Sequence, residues 1–569
     1  MKAGPMTNMK TNGDILISGR SYSVVFNGEK FRAKTGDRFE NYLYQAPHKG
    51  EMKPLGVIAN NKLVGLARRI TSDCAAHSID YASKEGAFIY RRTACLILYA
   101  AVRNLYPHAE VVIGQAIRGG YFFELKGMKL GGEVVESVEE SMKSLVEQNI
   151  RIEFMRVYVD EAVQILDAMG HEEKKKWVLQ VPRDYLWLVE LNGFYDILRG
   201  PLAPSTGAIK NFSVESYKHG FVLRFPRADG SYPSPAKKDQ NLLFDAFQRA
   251  REDNRILGVS NVAQLTDISI GGSVTGLVRS AEALFIKRIL AIADEIVRRS
   301  QDVRVVLIAG PSSSGKTTFS KRLGVFLRIQ GLKPVNLSLD NYYVDRKDTP
   351  LHPDGSYNFE ALEALDLDLF NEHLVRLTEG EKIECPVYDF VEGRRDPHKK
   401  VELSVGPGEV LLIEGIHALN DRLHEKVPRK SKYKIFVSAL TQLCIDQHNR
   451  IFTSDTRLIR RIVRDRLFRG YSATDTINGW ASVRSGEDRY IFPFQESADV
   501  MFNSALVYEH AVLKPYAKRF LLEVSQESTA YVEAYRLYKF MDLFLPIFPE
   551  EVPRDSVLRE FIGGSGFDY

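Results

Sequence analysis

The sequence predicts a multidomain chain of α/β and α+β class, with a doubly wound parallel sheet in its C-terminal half and a β-grasp module followed by an α+β domain before it. Three observations predict this. The 569 residues exceed what a single hydrophobic core organises. From Val303 onward, short apolar runs (VRVVLIAG, PVNLSLD, EVLLIEG, YKIFVSA) alternate with helical segments, the rhythm of a parallel sheet. One of those runs leads straight into Gly310-Pro-Ser-Ser-Ser-Gly-Lys-Thr317, a match to GxxxxGK[ST] between strand and helix.

Taken in order, residues 14–70 alternate β-like runs (ILISG, YSVVF, LGVIA) with polar turns and read as a β-grasp module. Within 71–235, residues 87–106 follow a helical period that offers Ile89, Leu96, Leu98, Val102 and Leu105 to one face, and Pro107 stops the run. A second helical pattern over 141–176 precedes LWLVEL and FVLRF, strands flanking the turn-rich GPLAPSTG, so this part reads as α+β. Two amphipathic stretches in 236–300 form a helical connector expected to dock the two halves. Residues 301–530 hold the phosphate-loop fold and 531–569 a C-terminal extension.

Bulk properties exclude several classes. The net charge of +4, from 77 basic and 73 acidic residues, lacks the footprint of a dedicated nucleic-acid binder. Cys74, Cys95, Cys385 and Cys444 form no CxxC pair, which argues against a disulfide scaffold or thiolate zinc cluster and fits a reducing cytoplasm. No apolar run is long enough to span a bilayer, and MKAGPMTNMKTNG has no signal-type apolar core.

The loop carries the chemistry. Gly310, Pro311, Ser312, Ser313, Ser314 and Gly315 let successive N–H groups turn inward, and the helix that begins there adds the positive end of its dipole, making a cradle for the phosphates of ATP. Lys316 is expected to reach the β- and γ-phosphates, Thr317 to ligate Mg2+, and Thr318 to complete the cradle. Asp340, after the run 334–339, is placed at the same sheet edge to take a proton from an attacking hydroxyl and to help hold Mg2+. Glu414, after 410–413, stands at a position suited to support the metal. Arg457, Arg460, Arg461 and Arg464 share one helical face with only Asp455 and Asp465 nearby, so the stripe is read as a mobile lid that closes on phosphates.

Together, GPSSSGKTT, LDNYY, YNFEALEALD, PVYDF, LLIEGIHAL and DTRLIRRIVRD resemble the uridine kinase branch of the phosphoribulokinase and uridine kinase family over about residues 303–516. The resemblance implies Asp340 as base, Tyr343 near the substrate, Tyr388 lining a nucleoside pocket, and Arg457, Arg460 and Arg464 in the lid. It departs from the family in the pocket. Glu360 stands where the family places a ribose-holding Asp. After Tyr388-Asp389-Phe390 the family's base-contacting His is replaced by Gly393, followed by Arg394 and Arg395, which are candidate contacts for a phosphorylated acceptor. The expected activity is transfer of the ATP γ-phosphate to a nucleoside 5′-hydroxyl, uridine-type first. A kinase of another polyol such as a sugar phosphate, and an RNA-binding or regulatory ATPase, are the rival readings.

Residues 14–226 resemble the N-terminal region of threonyl-tRNA synthetases, a TGS domain and then the editing domain, through YRRTACLILYAAVRNLYP, IGQAIRGGYFFEL and DILRGPLAPSTG. The resemblance places the family's zinc-ligand positions at Arg92, Leu96, Leu198 and Leu202, a set that cannot hold zinc. A structural or oligomerising role is expected. RNA contact through Arg91, Arg92 and Arg118 is the alternative, weakened by the absence of interleaved aromatic residues in the sequence, and a homo-oligomer is anticipated from the resemblance.

Overall fold

The computed structural model describes residues 20–227, 229–233, 239–352, 355–389 and 392–567. Residues 14–19 of the predicted β-grasp module, the start of the connector at 236–238, and Phe390 lie outside the described residues. The chain is a multidomain α/β protein, antiparallel in most of its N-terminal pairings and parallel in the C-terminal sheet.

The first sheet orders Glu29–Lys34, Ser21–Phe26, Cys74–Ile79, Gly56–Ala59 and Lys62–Gly65. Its central strand, Cys74–Ile79, runs parallel to Ser21–Phe26 and lies beyond the expected boundary at residue 70. Alternation buries Val24 and Phe26 on one face over Val57 and Phe39.

The next unit wraps the helix Lys84–Leu105 with a four-stranded antiparallel sheet and a three-stranded one. Ser83 caps this helix by accepting from the Gly86 N–H, and Ile89, Leu96, Leu98 and Val102 are buried as the period predicts. Leu105, assigned to the same face, is 39% exposed at the last residue of the helix. The pattern over 141–176 is not one helical region: the strand Glu153–Tyr158 interrupts it and pairs with Tyr185–Leu191. The strand is short and mostly half-buried without clear alternation, and flanking helix formers hide it in the sequence.

The connector is three helices rather than two, Asn241–Ile256, Val262–Ile270 and Val274–Arg298. The last docks the halves as expected: a single apolar cluster runs from Val157 and Leu188 through Val278 and Phe285 to Val306 and Leu323. The C-terminal sheet orders Lys333–Ser338, Glu409–Glu414, Val305–Ala309, Lys432–Ser438 and Val500–Asn503, with every pairing parallel. The central strand Val305–Ala309 is buried on both faces, which explains its unbroken apolar run. Among the described residues no helix is long and apolar enough to cross a membrane.

A buried polar network adds to the joint. Lys174 pairs with Asp196, and its Nζ lies 3.6 Å from Asp446 Oδ1 and 2.7 Å from His448 Nδ1, with Lys174 fully enclosed. Asp446 and His448 belong to the C-terminal half, and Arg199 reaches Asp446 at 3.4 Å. Burial depresses the His448 pKa, and Lys174 beside it pushes in the same direction, so the imidazole is neutral at pH 7. Lys174→Met strands the enclosed Asp196 carboxylate while Asp446 keeps Arg199, and is expected to cost about 3–5 kcal/mol in urea unfolding, with Lys174→Met/Asp196→Leu recovering most of that loss.

Candidate active site

The phosphate loop emerges from Val305–Ala309 and closes into the helix Lys316–Ile329. Gly310 is required by a close approach: a Cβ there would lie 2.0 Å from the Val437 carbonyl oxygen. Gly315 takes φ +82°, a left-handed turn that starts the helix, and Ser313 adopts φ 58°. The Ser313 and Ser314 hydroxyls are buried with no hydrogen-bond partner, and Lys316 Nζ bonds the Pro311 carbonyl at 3.2 Å across the loop.

Three acids converge on Lys316. Burial lowers its pKa, and Glu414, Asp340 and Glu560 act against that. Asp340 sits in a 3-10 turn just past the strand Lys333–Ser338, so it occupies the predicted sheet edge. Burial raises its pKa, opposed by Lys316, Arg469 and Arg464. Glu414 Oε1 lies 3.4 Å from Thr317 Oγ1, and burial followed by the charge of Asp340 pushes the Glu414 pKa up to about 7. A hydroxyl and two crowded carboxylates are hard oxygen donors held close together, a set that fits Mg2+.

The arginine helix Thr453–Phe468 is packed on the loop. Arg457 donates from Nε to the Ser312 carbonyl at 2.9 Å and pairs with Glu487; Arg460 bonds the Ser504 carbonyl at 2.9 Å and pairs with Glu509. Both guanidinium groups are almost wholly enclosed, at 1% and 0% exposure. This differs from a solvated lid, because the missing acids come from distant helices rather than from sequence neighbours. Arg461 reaches the Ser312 hydroxyl at 2.9 Å, and Arg464 bonds Asp465 at 2.8 Å while its charge also bears on Asp340.

On the acceptor side, Tyr343 and Tyr388 have ring centroids 5.6 Å apart, and Tyr343 Oη donates to the Phe359 carbonyl at 3.3 Å. Glu360 Oε2 is buried without a hydrogen-bond partner, and burial pushes its pKa up to about 7. Arg395 is a brace: its guanidinium binds the Tyr342 and Tyr343 carbonyls at 3.0 and 3.1 Å and Asp366 at 3.0 Å. Gly393 takes φ +69°, a left-handed conformation that disfavours any side chain there, and a Cβ would fall 2.6 Å from the movable Arg346 guanidinium.

Two residues of the site are not signalled by local sequence. Glu487 accepts from the Ser312 N–H at 3.2 Å, and Glu560 accepts from the Thr318 hydroxyl at 2.6 Å. Glu560 arrives on the C-terminal segment, which folds back over the loop so that a Cβ on Gly315 would meet Val557 at 2.6 Å. Their only signal is the excess of cations in the stripe, which demanded acids from elsewhere.

A parallel sheet, a phosphate loop and an acid at its edge define a phosphoryl-transfer fold. The phosphoribulokinase / uridine kinase family model matches residues 305–509. A uridine kinase from Deinococcus deserti is 32% identical over 198 residues, which cover 35% of this chain and 86% of that protein. The chain therefore belongs to the phosphoribulokinase / uridine kinase family, and its C-terminal half is a P-loop kinase. The N-terminal region matches threonine-tRNA ligases: that of Clostridium kluyveri is 27% identical over 186 residues, 32% of this chain. The match spans only 29% of that ligase. A solved putative fructose transport system kinase from a Silicibacter species aligns with 38% of this chain and 98% of its own at 19% identity and a TM-score of 0.28.

The raised Glu414 pKa has a sign. The folded state holds that proton more tightly than the unfolded chain, so the stabilisation is complete below about pH 4.5 and is lost as pH rises through about 7. Glu414→Gln removes the charged form, and without ligand it is expected to be more stable than the parent by about 1–2 kcal/mol at pH 8 and equal to it at pH 4, read by urea unfolding.

Proposed function

We propose that this protein is an ATP- and Mg2+-dependent nucleoside kinase that transfers the γ-phosphate to a nucleoside 5′-hydroxyl, with uridine-type pyrimidines as the first acceptors. The observation that carries the reading is Asp340 placed against Lys316 at the edge of the phosphate loop, with Glu360, Tyr343 and Tyr388 nearby. Gly310 to Thr318 hold the phosphates through N–H groups and the Lys316 ammonium. Asp340 accepts the proton of the attacking hydroxyl, and burial helps by raising its basicity. Thr317, Asp340 and Glu414 would hold Mg2+, which neutralises charge on the transferring phosphate. Arg464, whose charge already bears on Asp340, stabilises the phosphoryl group, while Arg457 and Arg460 hold the loop backbone in shape.

Glu360 is the group that would accept hydrogen bonds from sugar hydroxyls, since its buried oxygen lacks a donor. Tyr388 would line the base pocket, with Phe390 following it in the chain. Arg395 supports the pocket wall with all three of its guanidinium nitrogens bonded there, which disfavours a phosphorylated acceptor. A cytoplasmic setting and a homo-oligomeric assembly belong to the same reading, and so does a TGS-type role for the first sheet.

The test is ATP consumption by the full chain against nucleosides, sugar phosphates and tRNA, with the product identified by mass. A nucleoside 5′-monophosphate is expected, with Asp340→Asn lowering kcat by about 10²–10⁴ while nucleotide binding persists. Turnover stimulated only by a sugar phosphate or by tRNA overturns the reading. Because Glu560 places a carboxylate beside Thr318, Glu560→Gln is expected to lower the KM for ATP by roughly 3–10-fold in steady-state assays, at little change in kcat.

A further inference from the structure

A guanidinium group withdrawn from water needs an anion or a full set of acceptors. Arg457 and Arg460 have theirs. At the joint between the two halves, three other arginines have no carboxylate partner among the described residues: Arg91 and Arg92 on the helix Lys84–Leu105, and Arg450 just before the arginine helix. Arg450 is only 8% exposed, and its Nη1 is buried with no hydrogen-bond partner. Arg92 Nε and Arg91 Nε are buried in the same condition.

The three converge. Arg92 lies 5.5 Å over the ring of Phe88, Phe88 meets Phe452 edge-on at 6.4 Å, and Arg450 stands 5.2 Å from Phe452. Arg450 is also 5.3 Å from the centre of Tyr121, whose hydroxyl Arg91 reaches. All three bear on the buried Cys95 thiol, where each of their charges opposes the rise that burial imposes on its pKa. Burial lowers the pKa of both Arg92 and Arg450, opposed in part by the charges of Asp196 and Asp455, while Tyr121 and Tyr81 raise that of Arg91 against its burial.

The nearby acids are occupied. Asp455 takes both arms of Arg536 at 2.7 and 2.9 Å, and Asp196 and Asp446 are engaged with Lys174. Thr453 Oγ1, three residues after Arg450, is another buried hydroxyl with no partner, at the start of a 16-residue helix whose N-cap side chain makes no cap bond. The rings of Phe88, Tyr121 and Phe452 supply the aromatic neighbours that the linear sequence did not show beside Arg91 and Arg92. Beside these arginines the Leu96 and Leu202 side chains, at the expected metal positions, belong to the apolar core, so the remaining polar character is cationic.

We infer that this joint is a binding site for the phosphate group of a small phosphorylated ligand, held by Arg91 and Arg92 from one half and Arg450 from the other. Planar guanidinium forks match tetrahedral phosphate oxygens, and a dianion offsets most of three cations. The site is separate from the phosphate loop and does not depend on the nucleoside-kinase reading.

The test uses the full chain, with inorganic pyrophosphate and a nucleoside 5′-monophosphate as probes, in calorimetric titration and thermal unfolding. Lys316→Ala is included to discount the phosphate loop. Expected is a phosphate-dependent rise in Tm and a binding step that survives Lys316→Ala and is weakened at least tenfold by Arg92→Gln, a half-buried position whose loss leaves ligand-free stability and kinase turnover unchanged. Arg450→Gln is expected to do the same; should it fail to fold, Arg92→Gln decides alone. Phosphate binding indifferent to Arg92→Gln overturns the inference. Arg92-dependent binding of an RNA 3′ end with no response to free phosphates also overturns it, in favour of a nucleic-acid site.

Discussion

The burial of Arg457 and Arg460 against the phosphate loop organises the catalytic half. Enclosed guanidinium groups are tolerable only with anions, and Glu487 and Glu509 supply them from two other helices. Each arginine then has donors left for loop backbone: Arg457 for the Ser312 carbonyl and Arg460 for those of Ser313 and Ser504. Loop, arginine helix and the two acid-bearing helices are thereby tied into one arrangement around the place where phosphates are expected. The same constraint makes the C-terminal segment part of the site, since Phe561 lies under Arg460 and Glu560 reaches Thr318.

Charge accounting also distinguishes the two ends of that helix. Along its length the arginines are matched by acids. At its start, the cations of the joint lack carboxylate partners among the described residues, and aromatic rings stand beside them. Core packing accounts for Leu96 and Leu202, yet it does not account for Arg92, whose buried Nε has no acceptor.

The halves meet through both apolar and polar contacts. The helix Val274–Arg298 carries one core cluster across the boundary, and the Lys174, Asp196, Asp446 and His448 network sits beside it. Polar groups buried this way require near-complete mutual pairing, so the joint has a defined geometry rather than a sliding one. That geometry places Arg450 beside Tyr121, whose hydroxyl Arg91 reaches.

Sequence alone determined the parallel sheet, the loop from Gly310 to Thr317 and the acids at Asp340 and Glu414, because strand periodicity and glycine-dependent turns are local and leave a local mark. It did not reveal the strand Glu153–Tyr158 inside a helix-like pattern, or that the arginine stripe is enclosed rather than a free lid. Tertiary structure alone decided which acids answer which arginines. Glu487 and Glu509 lie 30 and 49 residues from Arg457 and Arg460, and Coulomb attraction in a buried site depends on distance in space, which nothing in the order of residues encodes.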